Sequence, residues 1–266
     1  MKRVGGQVVL VTGASSGIGQ ACAALLAKHG YTVYGASRRT IAIEGVTPLV
    51  MDVTDDQSVG NAVAGLIERE GRLDAVVNNA GIAVAGAVED CTIADAKEQF
   101  EVNLFGVLRV CHAVLPIMRQ QRGGHLINIG SIGGLIAIPY QGLYSASKFA
   151  LEGLTESLRL EMCDFGIRVV LVEPGDHRTG LTQSRRTIAS EVYREACHRA
   201  VGRMASDERH GADPDGVARL VHRIIRNPRP RLRYTAGPAL QRAAIWLKRV
   251  MPYAVMERAM RLYYCR

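Results

Sequence analysis

The sequence predicts an α/β fold in which helices cover both faces of a doubly wound parallel sheet of about seven strands, and three observations lead to this fold class. Short apolar runs rich in Val and Ile alternate with helical stretches over the first two thirds of the 266 residues. Each run is continuously apolar, as in strands that are buried on both faces. No repeat or low-complexity linker divides the sequence, so residues 1–266 are predicted to form one domain.

The strand and helix predictions alternate along the chain, as a parallel sheet with right-handed crossovers requires. Strands are predicted at 7–12, 31–36, 46–51, 73–78, 125–130 and 167–172, followed by a last strand at 231–236. Helices are predicted at 17–29, 55–69, 92–120 and 142–164, and a further helix opens at Asp213-Pro214. Because ligands of such sheets bind beyond the carboxyl ends of the strands, we expect the functional residues in the loops that follow them.

Two segments depart from this alternation. From about residue 176 to 212 the strand pattern stops and charged, helix-prone sequence takes over, which predicts a mobile insertion that forms a lid near the substrate site. Residues 237–266 form a basic, apolar extension interrupted by Pro252. We expect this extension to be an amphipathic helix that covers the fold or the substrate cleft, with contact to a membrane surface as the alternative. The side chains expected to cover the fold are Leu240, Ile245, Trp246, Leu247 and Val250.

Charge and cysteine content argue against several classes of protein. The net charge of +8 is concentrated in residues 185–266, which carry 18 basic and 7 acidic residues. No nucleic-acid-reading motif or aromatic stacking platform accompanies this segment, so no nucleic-acid partner is expected. The six cysteines form no CxxC pair and the seven histidines are scattered, which argues against a disulfide framework and a metal site. The sequence opens without a signal-peptide pattern, and a cytoplasmic location is expected.

A glycine-rich loop follows the first predicted strand and opens the first predicted helix. In the segment VTGASSGIG, the spacing of Gly13, Gly17 and Gly19 suits a tight turn, the close approach of a phosphate and the packing of helix on sheet. The backbone N–H groups at the N-terminus of this helix can face a pyrophosphate. This context predicts a Rossmann-type site for a dinucleotide, with contacts from Gly13, Ser15, Ser16, Gly17, Ile18 and Gly19.

The end of the second predicted strand indicates which dinucleotide binds. Enzymes that use NAD place a carboxylate here to hold the ribose 2′-hydroxyl. This sequence instead has Ser37, Arg38 and Arg39. A hydroxyl and two guanidinium groups suit the 2′-phosphate of NADP, so NADP(H) is the predicted cofactor, and a solvated turn is the alternative.

Three further residues suit proton transfer at the same edge of the sheet. Tyr144 and Lys148, in the segment YSASK, are four residues apart on a predicted helix and therefore share one face. Ser131 follows the predicted strand HLINIG and is expected to hold a substrate oxygen. A free phenol has a pKa of about 10, so Tyr144 needs an adjacent cation to act as an acid and base near neutral pH, and Lys148 supplies one.

Together these segments resemble the classical branch of the short-chain dehydrogenase/reductase family over roughly residues 5–180. The matching motifs are TGASSGIG at 12–19, MDV at 51–53, NNAG at 78–81, YSASK at 144–148 and EPG at 173–175. The resemblance implies hydride transfer between NADP(H) and a CH–OH or carbonyl group. The extended C-terminal segment is similar to that of hydroxysteroid and retinol dehydrogenase-like members.

The resemblance also implies a role for each matching residue. Tyr144 is the expected general acid and base, and Lys148 binds the nicotinamide ribose while lowering the pKa of the tyrosine. Ser131 orients the substrate, and Asn103 supports a water relay to Lys148. The further cofactor contacts it implies are Asp52, Val53, Asn78, Ala80, Gly81, Pro174, Gly175 and Thr179, beside Tyr144 and Lys148. Family members pair through their long helices, so a homodimer or homotetramer is expected.

The apolar extension favours a hydrophobic secondary alcohol, ketone or aldehyde of steroid, retinoid or fatty type as the substrate. A 3-oxoacyl thioester reductase of the same family and a catalytically silent NADP-binding regulatory protein are the alternatives, and a sugar-nucleotide epimerase of the extended branch is a third. Because Tyr144 and Lys148 are both present, the silent protein is disfavoured. His177 stands where the family has a small apolar residue, and a surface or core histidine is favoured over a substrate contact.

Overall fold

A computed structural model describes residues 6–180, 184–248 and 250–265, without the side chain of Trp246. Its strands are β1 Val8–Thr12, β2 Thr32–Ser37, β3 Val46–Val50, β4 Ala75–Asn78, β5 Val84–Gly86, β6 Gly124–Ile129, β7 Ile167–Pro174, β8 Arg186–Ile188 and β9 Arg233–Ala236. Seven of these form a sheet in the order β3-β2-β1-β4-β6-β7-β9, and every neighbouring pair is parallel. The predicted doubly wound sheet is confirmed, and each of its strands overlaps a predicted one.

Helices connect the strands and cover both faces of this sheet. They are α1 Gly17–Lys28, α2 Asp56–Glu70, α3 Ile93–Phe100, α4 Gly106–Gln120, α5 Gly142–Glu161, α6 Arg194–Arg209, α7 Asp215–Arg226, α8 Ala239–Lys248 and α9 Tyr253–Tyr264. A π-helical turn, Glu101–Phe105, joins α3 to α4. The predicted helix at 92–120 is therefore one continuous rod with a widened turn in its middle.

The sheet separates two apolar cores. In β6, Leu126 packs into the core beneath α2, α4 and α5, whereas the next residue, Ile127, packs into the core beneath α1 and α7. Both side chains are fully buried. Successive side chains of a strand point to opposite faces, so burial on both faces requires the continuously apolar runs seen in the sequence.

Capping residues set the beginnings of two crossover helices. The side chain of Asp55 accepts a hydrogen bond from the backbone N–H of Ser58 at 2.7 Å at the start of α2. Thr92 and Asp95 form a capping box at the start of α3. Such caps satisfy N–H groups that have no partner within the helix, which explains why these boundaries were predicted to within a residue.

The insertion contains a strand that the sequence did not indicate. β8 pairs in parallel with β5, and Val84 lies opposite Arg186 in the register. A Cβ atom on Gly86 would lie 2.7 Å from the carbonyl oxygen of Ile188, so the close approach of the two backbones requires a glycine. The expectation that the strand pattern stops at about 176 was wrong here, because a three-residue strand is too short to show a periodic pattern. The predicted mobility of the insertion stays a prediction.

The helical stretch Ile93–Gln120 is long and apolar enough, by length and composition alone, to cross a membrane. Core helices pass the same test. On α4, Val107, Val110 and Val114 are buried against the sheet. Other apolar residues of the stretch are exposed, among them Ile93 and Phe105.

The C-terminal extension forms two helices, α8 and α9, separated by a turn at Pro252. Ile245 is buried, as predicted. Leu240, Leu247 and Val250 are 79%, 40% and 62% exposed, so the expectation that they cover the fold was wrong. The side chain of Trp246 lies outside the described part of the chain.

Polar contacts hold α8 against the body of the protein instead. Gln241 bonds to Asp176, and the ammonium of Lys248 donates to the carbonyl oxygen of Leu135. The same ammonium lies 5.3 Å from the ring centre of Phe149. The helix is therefore attached by its polar side chains, which leaves part of its apolar surface in solvent.

Candidate active site

A cleft with a volume of about 320 Å³ opens at the carboxyl ends of the central strands, where the sequence predicts the functional loops. Its walls fall into two sets. The glycine-loop half is lined by residues from 13–18, 36–38 and 51–54. The insertion half is lined by Asp176, His177, Arg185, Met204, Glu208 and Tyr264, among others. Tyr144, Lys148 and Ser131 line the same cleft.

Glycines shape the loop between β1 and α1. Gly13 and Gly17 have φ angles of +65° and +57°, in the left-handed region that favours glycine. A Cβ atom on Gly13 would lie 2.8 Å from the Cα of Ala80, and one on Gly19 would lie 2.3 Å from the carbonyl oxygen of Gly13. Gly13 and Gly17 line the cleft, whereas Gly19 packs beneath the loop.

The first turn of α1 offers groups that bind anions. Ser16 precedes the helix and makes no side-chain capping bond, and the turn contains no acidic residue. The N–H groups of a first helical turn lack partners within the helix and lie at the positive end of its dipole. Because Gly17 and Ile18 line the cleft, these groups fit the pyrophosphate of a dinucleotide.

The two arginines after β2 lie in different surroundings. Arg38 lines the cleft beside Ser37, whereas Arg39 lies off its wall. The hydroxyl of Ser37 donates to the carbonyl oxygen of Arg39 and holds the turn. Asp52 lines the same region, and hydrogen bonds from Thr54 hold the pKa of its carboxyl below the ordinary value, with a smaller effect from Arg38. One guanidinium, rather than the two predicted, is therefore at the cleft.

Tyr144 and Lys148 lie one turn apart on α5, as the spacing predicts. The ammonium of Lys148 is 5.9 Å from the ring centre of Tyr144. Ser131, at the end of β6, accepts a hydrogen bond from the N–H of Gly133 at 3.0 Å. Burial raises the pKa of Tyr144, and the interaction with the Ser131 hydroxyl opposes this rise. The phenol of Tyr144 is therefore protonated at neutral pH.

Lys148 is buried, and its ammonium is hydrogen-bonded to the backbone at the end of β6. Its ammonium donates to the carbonyl oxygen of Ile129 at 2.9 Å. Burial lowers the pKa of Lys148 to about 8, and the charge of Glu152 opposes this fall. Burial in turn raises the pKa of Glu152 to about 7, with a further rise from Glu173, while Arg233 contacts both carboxylates. The lysine thus carries its positive charge at neutral pH and loses it slightly above.

Asn103 lies in the π-helical turn and is fully buried. Its Oδ1 accepts from the N–H of Ile82 at 2.9 Å, and its Nδ2 donates to the carbonyl oxygen of Ile82 and to the hydroxyl of Ser147, each at 3.1 Å. These contacts tie the helix to the loop after β4. The water relay from Asn103 to Lys148 stays a prediction.

Asn78 lies off the cleft wall, although the resemblance placed it beside the cofactor. Its Nδ2 donates to Oδ1 of Asn128 at 2.9 Å inside the sheet. The next residue, Asn79, lines the cleft, and its Nδ2 donates to the carbonyl oxygen of Thr12 at 3.1 Å. The reason is that successive side chains at the end of a strand point in opposite directions.

Gly19, Arg39, Asn78 and Asn103 are the predicted site residues that do not line the cleft. Those that line it are Gly13, Ser15, Ser16, Gly17, Ile18, Ser37, Arg38, Asp52, Val53, Ala80, Gly81, Ser131, Tyr144, Lys148, Pro174, Gly175 and Thr179. The structure therefore brings most of the predicted residues to one place.

The insertion half contains residues that the sequence did not single out. Asp176, Arg185, Glu208 and Tyr264 come from four segments, and no motif spacing relates them. The only signal was the charge of the insertion. His177 also lines this half, where it is buried with its Nδ1 2.9 Å from the carbonyl oxygen of Gly175. It is thus a buried histidine that also lines the cleft, and its role stays a prediction.

Neither metal ligands nor reactive thiols are grouped in the described part of the chain. No three His, Cys, Asp or Glu side chains there are placed to hold a metal ion. Burial raises the pKa of the Cys22 and Cys111 thiols to about 12, so both are protonated at neutral pH.

Comparison with known proteins identifies the family. A family model described as short chain dehydrogenase matches residues 7–189, which span β1 to β8. The chain belongs to the short-chain dehydrogenase family. As a member of this family it is an oxidoreductase that acts on CH–OH or carbonyl groups with a nicotinamide dinucleotide, NAD or NADP.

Named relatives support the assignment to this short-chain dehydrogenase family. A 3-ketodihydrosphingosine reductase of Bacteroides thetaiotaomicron is 42% identical over 263 residues, which cover 97% of this chain and 98% of that protein. Human retinol dehydrogenase 8 is 37% identical over 184 residues, 64% of this chain and 58% of that protein. The branch suggested by the C-terminal extension therefore fits.

A solved structure supports the fold. The short-chain dehydrogenase/reductase of Burkholderia phymatum, crystallised with NAD, matches with a TM-score of 0.80 at 26% identity, over 94% of this chain and 95% of that one. Because that relative binds NAD, membership of the family does not by itself choose NADP for this chain.

Proposed function

We propose that this protein transfers a hydride between NADP(H) and a hydrophobic ketone or secondary alcohol, with a long-chain 3-keto amino alcohol as the leading substrate. The observation that carries the proposal is that Tyr144, Lys148 and Ser131 line the same cleft as the glycine loop and Arg38. A proton donor, its supporting cation and a dinucleotide site therefore share one space.

Tyr144 is the proposed proton donor and acceptor. When bound, the cofactor supplies a hydride in reduction and accepts one in oxidation. In reduction, Tyr144 Oη donates its proton to the carbonyl oxygen while the carbonyl carbon gains the hydride, so that C=O becomes CH–OH. Lys148 stabilises the phenolate that remains, and Ser131 donates a hydrogen bond to the substrate oxygen. The raised pKa of Tyr144 keeps the phenol protonated before transfer.

Arg38 is the proposed determinant of NADP binding. It lines the cleft at the end of β2, where NAD-selective relatives would carry a carboxylate. A guanidinium binds the doubly charged 2′-phosphate through charge-assisted hydrogen bonds. The hydrogen bond from the Ser37 hydroxyl to the carbonyl oxygen of Arg39 holds the turn that carries Arg38.

Two observations support a long apolar substrate. Apolar side chains from separate segments line the cleft near the proposed catalytic residues, namely Ile82, Ile132, Ile138, Met204 and Tyr264. The relative that is similar over almost the whole chain is a 3-ketodihydrosphingosine reductase. A ketone within a long alkyl chain fits both observations.

A carbonyl screen with NADPH and with NADH, followed by nicotinamide absorbance, tests the proposal. The substrates are 3-ketodihydrosphingosine, a plain 3-ketone of equal length, a steroid ketone, retinal and a 3-oxoacyl thioester. We expect NADPH-dependent reduction that is fastest with the long-chain ketones. Fastest turnover of the thioester would support a 3-oxoacyl reductase instead. NADPH binding without turnover of any carbonyl would indicate a regulatory protein.

We also propose that the protein forms at least a homodimer. Phe105 and Phe149, beside α4 and on α5, are 44% and 42% exposed, and Leu160 on α5 is 76% exposed. A second copy would remove such apolar surface from water. Light scattering at micromolar concentration should give at least twice the chain mass of 28.8 kDa. A monomer would contradict this proposal.

The remaining proposals concern the cellular location of the protein and the role of its C-terminal extension. We propose a cytoplasmic protein without a nucleic-acid partner, whose C-terminal extension serves the cleft through Gln241 and Tyr264. Exposed Leu240 and Tyr253 lie on the same basic extension, so contact with an anionic bilayer is the alternative. Sedimentation with anionic vesicles should be weak, and strong salt-sensitive pelleting would favour the membrane.

A further inference from the structure

Four polar side chains form a cluster in the insertion half of the cleft. Arg185 pairs with Glu208 of α6, and Asp176 pairs with Gln241 of α8. The backbone N–H of Asp176 also donates to Oε1 of Gln241 at 2.9 Å. Asp176, Arg185 and Glu208 line the cleft directly. We call these four residues the polar cluster.

The described residues leave part of the hydrogen-bonding capacity of Arg185 unused. Its side chain is 2% exposed, and its Nη2 pairs with Glu208. Among the described residues, Nε and Nη1 are buried without a hydrogen-bond partner. Buried donors of this kind are rare, since burial removes their bonds to water without replacing them. An oxygen atom of a ligand would satisfy them.

The polar cluster and Tyr144 line the same cleft. The carboxylates of Glu208 and Asp176 raise the pKa of Tyr144, although less than its burial does, and Arg185 lowers it. Burial raises the pKa of Glu208, and the charge of Asp176 raises it further, while Arg185 opposes the rise. Two carboxylates and one guanidinium thus share a poorly solvated space with the phenol.

We propose that the polar cluster is a head-group subsite that binds the amino and hydroxyl groups next to the carbonyl of an amino-alcohol ketone. Arg185 donates from Nε or Nη1 to the hydroxyl oxygen, and the carboxylates of Asp176 and Glu208 accept from the ammonium. This assignment rests on the proposed reduction of long-chain ketones and names the residues that select among them.

The charge of the polar cluster favours a cationic head group over an anionic one. Among the described residues of the polar cluster, a phosphate or carboxylate would meet the carboxylates of Asp176 and Glu208 and the guanidinium of Arg185, which is already paired with Glu208. A plain alkyl ketone would leave Nε and Nη1 of Arg185 without partners. A head group with an ammonium and a hydroxyl supplies donors to the two carboxylates and an acceptor to the guanidinium. It therefore satisfies the carboxylates and the unpartnered nitrogens of Arg185 together.

A pair of matched ketones tests the subsite. The full chain is assayed with NADPH on 3-ketodihydrosphingosine and on the 3-ketone of equal length without amino and hydroxyl groups. We expect kcat/KM to be at least roughly tenfold higher for the amino ketone, since charge-assisted bonds distinguish the two. Glu208→Gln and Asp176→Asn should raise KM for the amino ketone more than KM for the plain ketone, so the ratio of the two kcat/KM values should fall. The exposed Glu195→Gln on the same helix is the control.

The outcomes separate the subsite from the proposed function. If the wild-type protein reduces both ketones with equal kcat/KM, or if the variants slow both equally, the subsite is refuted while the reductase stands. If the wild-type protein reduces neither ketone, the proposed function itself fails. Asp176→Asn is nearly isosteric and tests the subsite even if Glu208→Gln does not fold. An unchanged Kd for NADPH in each variant verifies that the cofactor site is intact.

Discussion

The glycine-loop half of the cleft is made largely of backbone, whereas the insertion half is made of charged side chains from distant segments. In the first, the turn between β1 and α1 and the N–H groups of a helix supply the wall, with Arg38 as its guanidinium. In the second, Arg185 meets Glu208 across 23 residues and Asp176 meets Gln241 across 65. The two halves therefore line one cleft with different groups, namely backbone in the first and paired side chains in the second.

This difference predicts which substitutions each half of the cleft tolerates. A backbone site depends on turns and strand ends, so it tolerates changes in most side chains but few changes in its glycines. A side-chain site depends on complementary partners, so one substitution alters what it binds. We therefore expect side-chain substitutions to change substrate choice more readily than dinucleotide binding.

The largest expected effect comes from Tyr144, which serves both halves. Tyr144→Phe removes the proposed proton donor but keeps the ring, so kcat should fall at least about 100-fold. The Kd for NADPH, measured by fluorescence titration, should be largely unchanged. Tyr193→Phe is the control, since its hydroxyl bonds to Glu89 at 2.8 Å outside the cleft wall. A variant that kept a tenth of the activity would require another acid.

The next largest effect should fall on the glycine-loop half alone. The wild-type protein should bind NADPH at least about tenfold more tightly than NADH, and Arg38→Ala should remove this preference. Arg39→Ala is a matched control, because Arg39 lies off the cleft wall. Calorimetric titration of both cofactors measures the ratio. Equal affinities in the wild-type protein, or equal losses in the two variants, would contradict the assignment.

A smaller effect should fall on the insertion half alone. Tyr264→Ala removes an aromatic wall of the cleft, so KM for long-chain ketones should rise about three- to tenfold, by loss of apolar contact. The Kd for NADPH should not change. Tyr253→Ala, whose side chain is 76% exposed on the same helix, should leave both constants unchanged. Truncation after Gly237 removes Gln241 as well as Tyr264, so it should raise this KM at least as much. A normal KM in both variants would remove the extension from the substrate site.

The smallest expected effect concerns the pH profile. The charge of Glu152 raises the pKa of Lys148, which stands at about 8, so Glu152→Gln should lower it. Lys148 would then lose its proton at lower pH, and the alkaline limb of kcat/KM should move towards neutral pH. Glu161→Gln is the control, because Glu161 is exposed at the end of the same helix and its carboxylate accepts a hydrogen bond from Ser157. If the alkaline limb of kcat/KM stays at the same pH in Glu152→Gln, then the ionisation of Lys148 does not determine that limb.

Much of the fold could be predicted because its signals are local. The apolar run of β6 and the caps at Asp55 and Thr92 each lie within a few residues of the element they specify. β8 could not be predicted, since its three residues form a strand only through pairing with β5. The exposure of Leu240 was also missed, because a helical pattern marks an apolar face without stating whether anything covers it.

The contrast between local sequence signals and tertiary contacts also holds for the residues of the candidate site. Gly13, Tyr144 and Lys148 were found because each belongs to a motif whose spacing has a physical meaning. Arg185 and Glu208 were missed, because an arginine and a glutamate 23 residues apart in a charged segment indicate nothing by themselves. Only their burial and mutual contact distinguish them from a solvated surface.

The sequence by itself determined the parallel sheet, the glycine-rich loop and the residues proposed for proton transfer, since strand burial, tight turns and helical spacing are set over short stretches of chain. The tertiary structure decided which of Arg38 and Arg39 lines the cleft and which charged side chains join Tyr144 there. Those outcomes depend on the direction in which side chains point and on their removal from water. Both are properties of the packed chain rather than of any segment of it.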